Sequence, residues 1–418
     1  MRTNARDELE AVNALDVESR RKVINIVRGA LQAKFSSSGY PVGIRIRDWE
    51  QTLDIRGHVK STRNIAEADC FTFSAALNYK RNVPLRDNTS LESLHTTPCF
   101  VKFAWKTQKQ SYGAFAERQL LAKDIEPLLE RALTPCLPFT IYEFKLPNDA
   151  GLAAWELYRC IVQKSEKHAQ SRQSARTSKG RHVHLLAMEA CGEMTLADYL
   201  LSAPPRNDIL PIFLMLFHAL GVLADAGISH NDLHLRNVVI KRTPLTTVSF
   251  KDRTFATTAV PVIIDWDMGC STKRKNKSLI DYHHVGIFNT HNPLFDMFGI
   301  VKSLSWAIKR VSTYELPRCV LRSAATEQLM EKLTRLFAPA VNAHPWLFAF
   351  EFQDSDGENL TCVQQTPYVP MKRTGTVATW PKDVVRMAPT FDALQHEVFM
   401  MIEASEEVLS DTARFVYA

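Results

Sequence analysis

The sequence predicts an α+β chain in two lobes, from three observations. Its 418 residues suffice for two bodies, each with its own core. Strand-like runs crowd the first half, at Leu53–Val59, Cys70–Leu77, Pro98–Trp105, Leu137–Leu146 and Val183–Cys191. Helical runs dominate beyond that, at Met194–Leu200, Ile209–Ala226, Glu327–Phe337 and Phe391–Ala404.

Composition narrows the class. Hydrophobic residues make up 45% of the chain and charged ones 23%, the balance of a soluble globular protein. A net charge of +6 suits anionic partners without singling out nucleic acid. The cysteines at 70, 99, 136, 160, 191, 270, 319 and 362 form no CxxC pair, so they read as reduced thiols and not as a disulfide framework or zinc site. Arg2, Arg6, Asp7, Glu8 and Glu10 interrupt any apolar leader, so a cytoplasmic or nuclear location is expected, not secretion. The most apolar run, Ile209–Ala226, contains Pro211, His218 and Asp225. It reads as a buried helix and no membrane partner is expected.

Taken in order, residues 5–34 open with a helix. Asp16 is its candidate cap, and Val23, Ile24, Val27, Ala30 and Leu31 recur at helical spacing. The strand Pro98–Trp105 encloses Lys102, a cation that needs a partner inside an apolar run. Glu117 follows in a stretch of good helix formers. Residues 163–181 hold Lys164, Lys167, Arg172, Arg176, Lys179 and Arg181 against Glu166 alone. That segment reads as a solvated insertion, and having no aromatic side chain to stack on bases it gives no case for nucleic acid. His182 and His184 read as structural. Lys241–Thr258 reads as an extended hairpin, and Lys273–Lys277 as a basic loop.

Two segments carry the chemistry. Ile228-Ser-His-Asn-Asp-Leu-His-Leu-Arg-Asn-Val-Val-Ile240 is a polar knot between apolar residues, a short loop feeding a buried strand. Val262-Ile-Ile-Asp-Trp-Asp-Met-Gly269 is an apolar run that stops at Asp265. Together they deliver a carboxylate (Asp232), an amide (Asn237) and a second carboxylate (Asp265). Phosphoryl transfer to a hydroxyl requires that set: one carboxylate orients the acceptor and takes its proton, and hard oxygen ligands hold magnesium on the nucleotide phosphates.

The run from His230 to Asn237 resembles the catalytic loop of the protein-kinase superfamily, and Asp265-Trp-Asp its metal-binding tripeptide. The resemblance spans roughly residues 50–305. It implies a bilobal kinase-like fold, with a small, mostly antiparallel β lobe carrying one key helix and a larger, mostly helical lobe. The implied division is a helical extension over 1–40, an N-lobe over 41–190 and a C-lobe over 191–418 ending in a further helical extension. ATP and magnesium are the implied cofactors. Asp232 is then the acceptor-orienting base, and Asn237 and Asp265 are the metal ligands. Lys102 contacts the nucleotide phosphates and is oriented by Glu117. Glu189 through its carbonyl and Cys191 through its amide face the adenine edge, with Met188 behind the base. Asp296, opening an apolar helix, corresponds to the aspartate that braces the catalytic loop.

Four features depart from the pattern. No G-x-G-x-x-G precedes Lys102, and Gly57 stands alone. Asn231 replaces the arginine that binds a phosphorylated activation segment, which implies activity without that switch. His234 gives an Asp-Leu-His found in haspin-like kinases and in aminoglycoside and choline phosphotransferases. Trp266-Asp267 replaces Phe-Gly, with Asp267 read as a solvent-facing turn residue or a reach to a second magnesium. The run Phe288–Asp296 is similar in texture to kinases of large DNA viruses, whose setting is the host cell. The leading expectation is a serine/threonine protein kinase acting on protein substrates, which the basic loop would make acidic ones. The alternatives are a small-molecule phosphotransferase and a pseudokinase scaffold.

Overall fold

A computed structural model describes residues 16–36, 53–55, 70–84, 90–106, 111–146, 182–192, 194–202, 204, 206–250, 253–276, 291–313, 324–344, 351–353, 359–361, 382–404 and 414–416. The basic segment 163–181 and Gly57 lie outside these residues. The chain is α+β with antiparallel sheets, and it divides into two compact units: residues 1–118 with 138–190, and residues 119–137 with 191–418.

The first unit begins with α1 (Val17–Ser36). Its cap is Asp16, whose carboxylate accepts from the Ser19 amide at 2.9 Å and from the Ser19 hydroxyl at 2.5 Å. This meets an orphan donor of the first helical turn. Val17, Ile24, Val27 and Leu31 form its buried stripe. The sheet contains β1 (Leu53–Ile55), β2 (Cys70–Pro84), β3 (Ser90–Lys106), β4 (Thr140–Leu146) and β5 (His182–Glu189), in the order β1-β2-β3-β5-β4. Every pairing is antiparallel. β2 and β3 run well beyond their expected apolar segments and pair from Cys70 against Ala104 to Pro84 against Ser90. A polar hairpin extension of that kind is held by its backbone ladder and carries little apolar signal. Helix α2 (Ser111–Leu120) follows β3.

The second unit opens with a π-helical turn, Leu121–Ile125, and α3 (Glu126–Glu130). Two residues of β6 (Met194–Thr195) lead into α4 (Leu196–Leu201), capped by Thr195, which accepts from the Asp198 amide at 3.1 Å. α5 (Arg206–Asp225) is long and apolar enough to cross a membrane, yet most of it is buried inside this unit, with Ile212, Phe213, Leu216 and Phe217 inaccessible. Next come β7 (Ile228–Ser229), β8 (Val238–Phe250), β9 (Arg253–Ile263) and β10 (Cys270–Ser271). β8 and β9 form the expected extended hairpin, and the short β10 pairs with β7. Helices α6 (Pro293–Thr313), α7 (Ala324–Ala343), α8 (Lys382–Met387) and α9 (Phe391–Glu403) complete the helical part. Two short strands, β11 (Glu351–Gln353) and β12 (Asn359–Thr361), form a pair, and β13 (Arg414–Val416) adds to β8 in parallel.

Gly192 is a position where the backbone demands the absence of a side chain. Its φ is +127°, and a Cβ there would lie 2.1 Å from the Ile240 carbonyl oxygen of β8. A side chain at this position would therefore strain the backbone and push β8 away.

Candidate functional site

In the first unit, Lys102 lies on β3, between Thr72 of β2 and Leu186 of β5 in register. It is 5% exposed and Glu117 of α2 is inaccessible. Nζ of Lys102 stands 2.9 Å from Oε2 of Glu117. A lysine on an inner strand is tolerable because this carboxylate answers it, and removing either partner would leave a buried charge. Met188 and Glu189 end β5, both buried.

The Glu189 side chain has a second role that was not expected. Arg20 of α1, fully buried, donates from Nε to Oε1 at 3.0 Å and from Nη2 to Oε2 at 2.7 Å. Its guanidinium also lies 5.3 Å from the Phe139 ring centroid. The Phe139 amide donates to the same carboxylate at 3.4 Å, and the Glu189 amide donates to the Phe139 carbonyl at 2.9 Å. A signal for Arg20 was present, since it falls on the helical stripe of Val17, Ile24, Val27 and Leu31, where a cation needs a carboxylate. Nothing local named the carboxylate.

In the second unit, the loop after β7 is organised from below by Asp296. Its Oδ2 accepts from the His230 amide at 2.6 Å and its Oδ1 from the Asn231 amide at 2.8 Å. Asn231 has φ +64°, a left-handed conformation that asparagine tolerates better than most residues. The turn it makes delivers Asp232. The Asn237 side-chain amide closes the loop, donating to the Asp232 carbonyl at 2.8 Å and to its Oδ2 at 3.4 Å. The Asn237 carbonyl accepts from the Ile264 amide at 2.9 Å, tying this loop to the segment that ends in Asp265.

Asp265 also has a left-handed backbone, with φ +67° and ψ +64°. A single 3₁₀ turn, Trp266–Met268, follows. Trp266 is fully buried, donates from Nε1 to the Ile263 carbonyl at 3.1 Å and packs against the His230 ring at 4.6 Å between centroids. His230 in turn contacts the Ile264 carbonyl through Nε2 at 2.8 Å. Asn231 Nδ2 reaches the Met268 carbonyl at 3.1 Å and the Cys270 sulfur at 3.2 Å. Trp266 thus plugs the turn and Asn231 ties it to the loop, holding two carboxylates beside Asp232.

The electrostatics follow from this crowding. Burial pushes the Asp232 carboxyl well above the usual range, and the charges of Asp267 and then Asp265 push it further. Asp267, half-buried in its turn, is thus close enough for its charge to act on Asp232. Burial raises Asp296 to about 7, against the two amides that donate to it. Burial, with the neighbouring His230, lowers His234 to about 4, so its imidazole is neutral at physiological pH. Its Nε2 lies 3.9 Å from Asp232 Oδ2, and its Nδ1 accepts from the Arg236 amide.

The structure thus brings Asp232, Asn237 and Asp265 together in the second unit, and Lys102 and Glu117 in the first. Cys191 is buried against Val239 and Val262 of β8 and β9. Among the described residues, no three His, Cys, Asp or Glu side chains form a metal site by themselves. The donor set still suits magnesium, which binds one or two protein oxygens and takes its remaining ligands from phosphate and water. The Asn237 Nδ2 is committed to Asp232, so Oδ1 is the atom of this side chain that could hold a cation.

The basic loop is less free than its sequence suggests. Lys273 and Lys275 are exposed, but Arg274 pairs with Asp124 at 2.9 Å and Asn276 is buried. Asp124 and Asn276 were missed by sequence reasoning, because a single acidic residue on a helix and an asparagine among lysines carry no local signal. No protein-family model matches the chain, and no curated protein is significantly similar to it.

Proposed function

We propose that the chain is an ATP- and magnesium-dependent phosphotransferase of kinase-like bilobal fold, acting on serine or threonine hydroxyls of proteins. The observation that carries this reading is the loop held by Asp296, in which the Asn237 amide closes on Asp232 while the Asp265 and Asp267 charges act on the same carboxylate.

Asp232 positions the acceptor hydroxyl and receives its proton as the oxygen attacks the terminal phosphorus; the bond from phosphorus to the departing nucleotide diphosphate breaks. Asn237 and Asp265 would hold magnesium, which when bound offsets phosphate charge and the carboxylate repulsion that favours protonated Asp232. Lys102, held by its ion pair with Glu117, would bind the nucleotide phosphates. Neutral His234, beside Asp232, adds no competing positive charge to the acceptor site.

A second reading, a small-molecule phosphotransferase, gains support from Asp267. Its carboxylate acts on Asp232 and would supply a further oxygen ligand in the Asp-Trp-Asp turn. Incubating the purified protein with labelled ATP, magnesium and a panel of casein, basic protein and an aminoglycoside separates the two. Label is expected in casein. Label in the aminoglycoside alone selects the second reading, and nucleotide binding without transfer to any acceptor leaves a binding scaffold.

The carboxylate cluster also predicts a pH effect on stability. Asp296 and Asp232 both have raised values in the fold, so the folded chain holds protons that the unfolded chain releases near the ordinary carboxylate value. Their stabilising contribution is complete below that value and is lost as the pH rises, through about 7 for Asp296. Metal-free protein is expected to melt at progressively lower temperature between about pH 5 and pH 8. Magnesium should raise the melting temperature more at the upper end, where it replaces protons at the cluster. A melting temperature that rises with pH over this window, or a magnesium effect independent of pH, contradicts the assignment.

A further inference from the structure

We infer that Asp124 and Arg274 are positioning residues, a permanent charge latch that sets the turn bearing Asp265 and Asp267 without covalent modification of the chain. The inference deepens the phosphotransferase reading and rests on it for its functional consequence.

Asp124 sits on the π-helical turn Leu121–Ile125, and its side chain is 7% exposed. A π-helical turn inserts a residue into a helix and is frequent where a side chain has a special task. Oδ2 of Asp124 accepts from the Ser271 hydroxyl at 2.9 Å and lies 2.9 Å from Arg274 Nε. Residues 271–274 close on themselves. The Arg274 amide donates to Ser271 Oγ at 3.0 Å and to the Ser271 carbonyl at 3.1 Å, and the Ser271 amide donates to the Arg274 carbonyl at 2.9 Å. The neighbouring Thr272 amide donates to the Gly227 carbonyl at 2.8 Å, and β10 pairs with β7 immediately before His230.

From this pinned point the chain turns back. Asn276 donates its side-chain amide to the Asp267 carbonyl at 2.7 Å and the Gly269 carbonyl at 3.0 Å. The backbone of the metal-bearing turn is therefore gripped from two sides, by Asn231 from the catalytic loop and by Asn276 from the segment that Asp124 anchors. A cation on the segment is already answered by a fixed carboxylate. No phosphate is needed to supply that negative charge, and Asn231 in the loop offers no cation to receive one.

The test uses the full chain, untreated and treated with a broad-specificity phosphatase, with Asp124→Asn, Arg274→Ala and Arg274→Lys variants. Hydrogen exchange of the peptide 264–276 reads the latch whether or not the protein transfers phosphate. Exchange there should accelerate about tenfold or more in Asp124→Asn and Arg274→Ala, with α5 unchanged as the control for folding. Titration of a fluorescent ATP analogue should show the magnesium requirement rising about tenfold in the same variants, with Arg274→Lys close to wild type. Phosphatase should change neither quantity. Unaltered exchange in both variants, or loss of magnesium-dependent binding after phosphatase, overturns the latch. Accelerated exchange in a protein whose wild type binds no nucleotide preserves the latch and refutes the phosphotransferase reading.

Discussion

Asp232→Asn is expected to lower the single-turnover rate of phosphoryl transfer by about 10²–10⁴ while leaving nucleotide binding nearly intact. The substitution keeps the size and shape of the side chain but removes the carboxylate that the Asn237 amide closes upon. It also removes a carboxyl group whose charged form burial and the Asp267 and Asp265 charges disfavour. The folded protein should therefore be no less stable than wild type without metal, and this separates loss of chemistry from loss of fold. Rapid-quench measurement with labelled ATP reads the rate, and thermal melting in metal-free buffer reads the fold. A variant that keeps more than about a tenth of the wild-type rate would remove Asp232 from the base and acceptor-orienting role.

Arg20→Ala should destabilise the first unit by roughly 3–5 kcal/mol, because it strips a bidentate cation from a carboxylate that is 2% exposed. Glu189 ends β5, and its amide is hydrogen-bonded to Phe139, so a repelled carboxylate would disturb both strand ends. Replacing both charges, as in Arg20→Met with Glu189→Leu, should recover most of the loss, since apolar packing of similar volume commonly equals a buried pair. Urea denaturation of the two single variants and the double variant forms the required cycle. A single-variant cost below about 1 kcal/mol would mean that water reaches Glu189 and that α1 is a loosely attached extension.

Much of the local structure was legible in the chain. Asp16 ahead of an apolar stripe of helical period announced a capped helix, because the donor–acceptor geometry of a first turn is local. Lys102 within Phe100–Trp105, taken with the motifs downstream, called for a partner, because an uncompensated ammonium is costly in an apolar strand, and Glu117 meets it. The spacing from Asp232 to Asn237 and the abrupt stop of an apolar run at Asp265 singled out three polar side chains, and in the structure backbone and side-chain hydrogen bonds tie their two loops together in the second unit. Asp296 at the head of an apolar helix announced a brace, and its carboxylate takes the two loop amides.

What the sequence by itself determined were features settled within a few residues: caps, burial period, and the residue types grouped at each loop. Only the tertiary structure decided which distant charges meet. Arg20 and Glu189 are 169 positions apart, and Asp124 and Ser271 are 147 apart. Periodicity reports which face of an element is buried but not what that face is buried against, so neither pair could be named in advance. The same holds for Asp267. Its turn is shaped by the left-handed backbone of Asp265, the burial of Trp266 and the grip of Asn276 on the Asp267 carbonyl. Direction at a turn is set by the contacts that close around it, and those contacts come from segments far away in the chain.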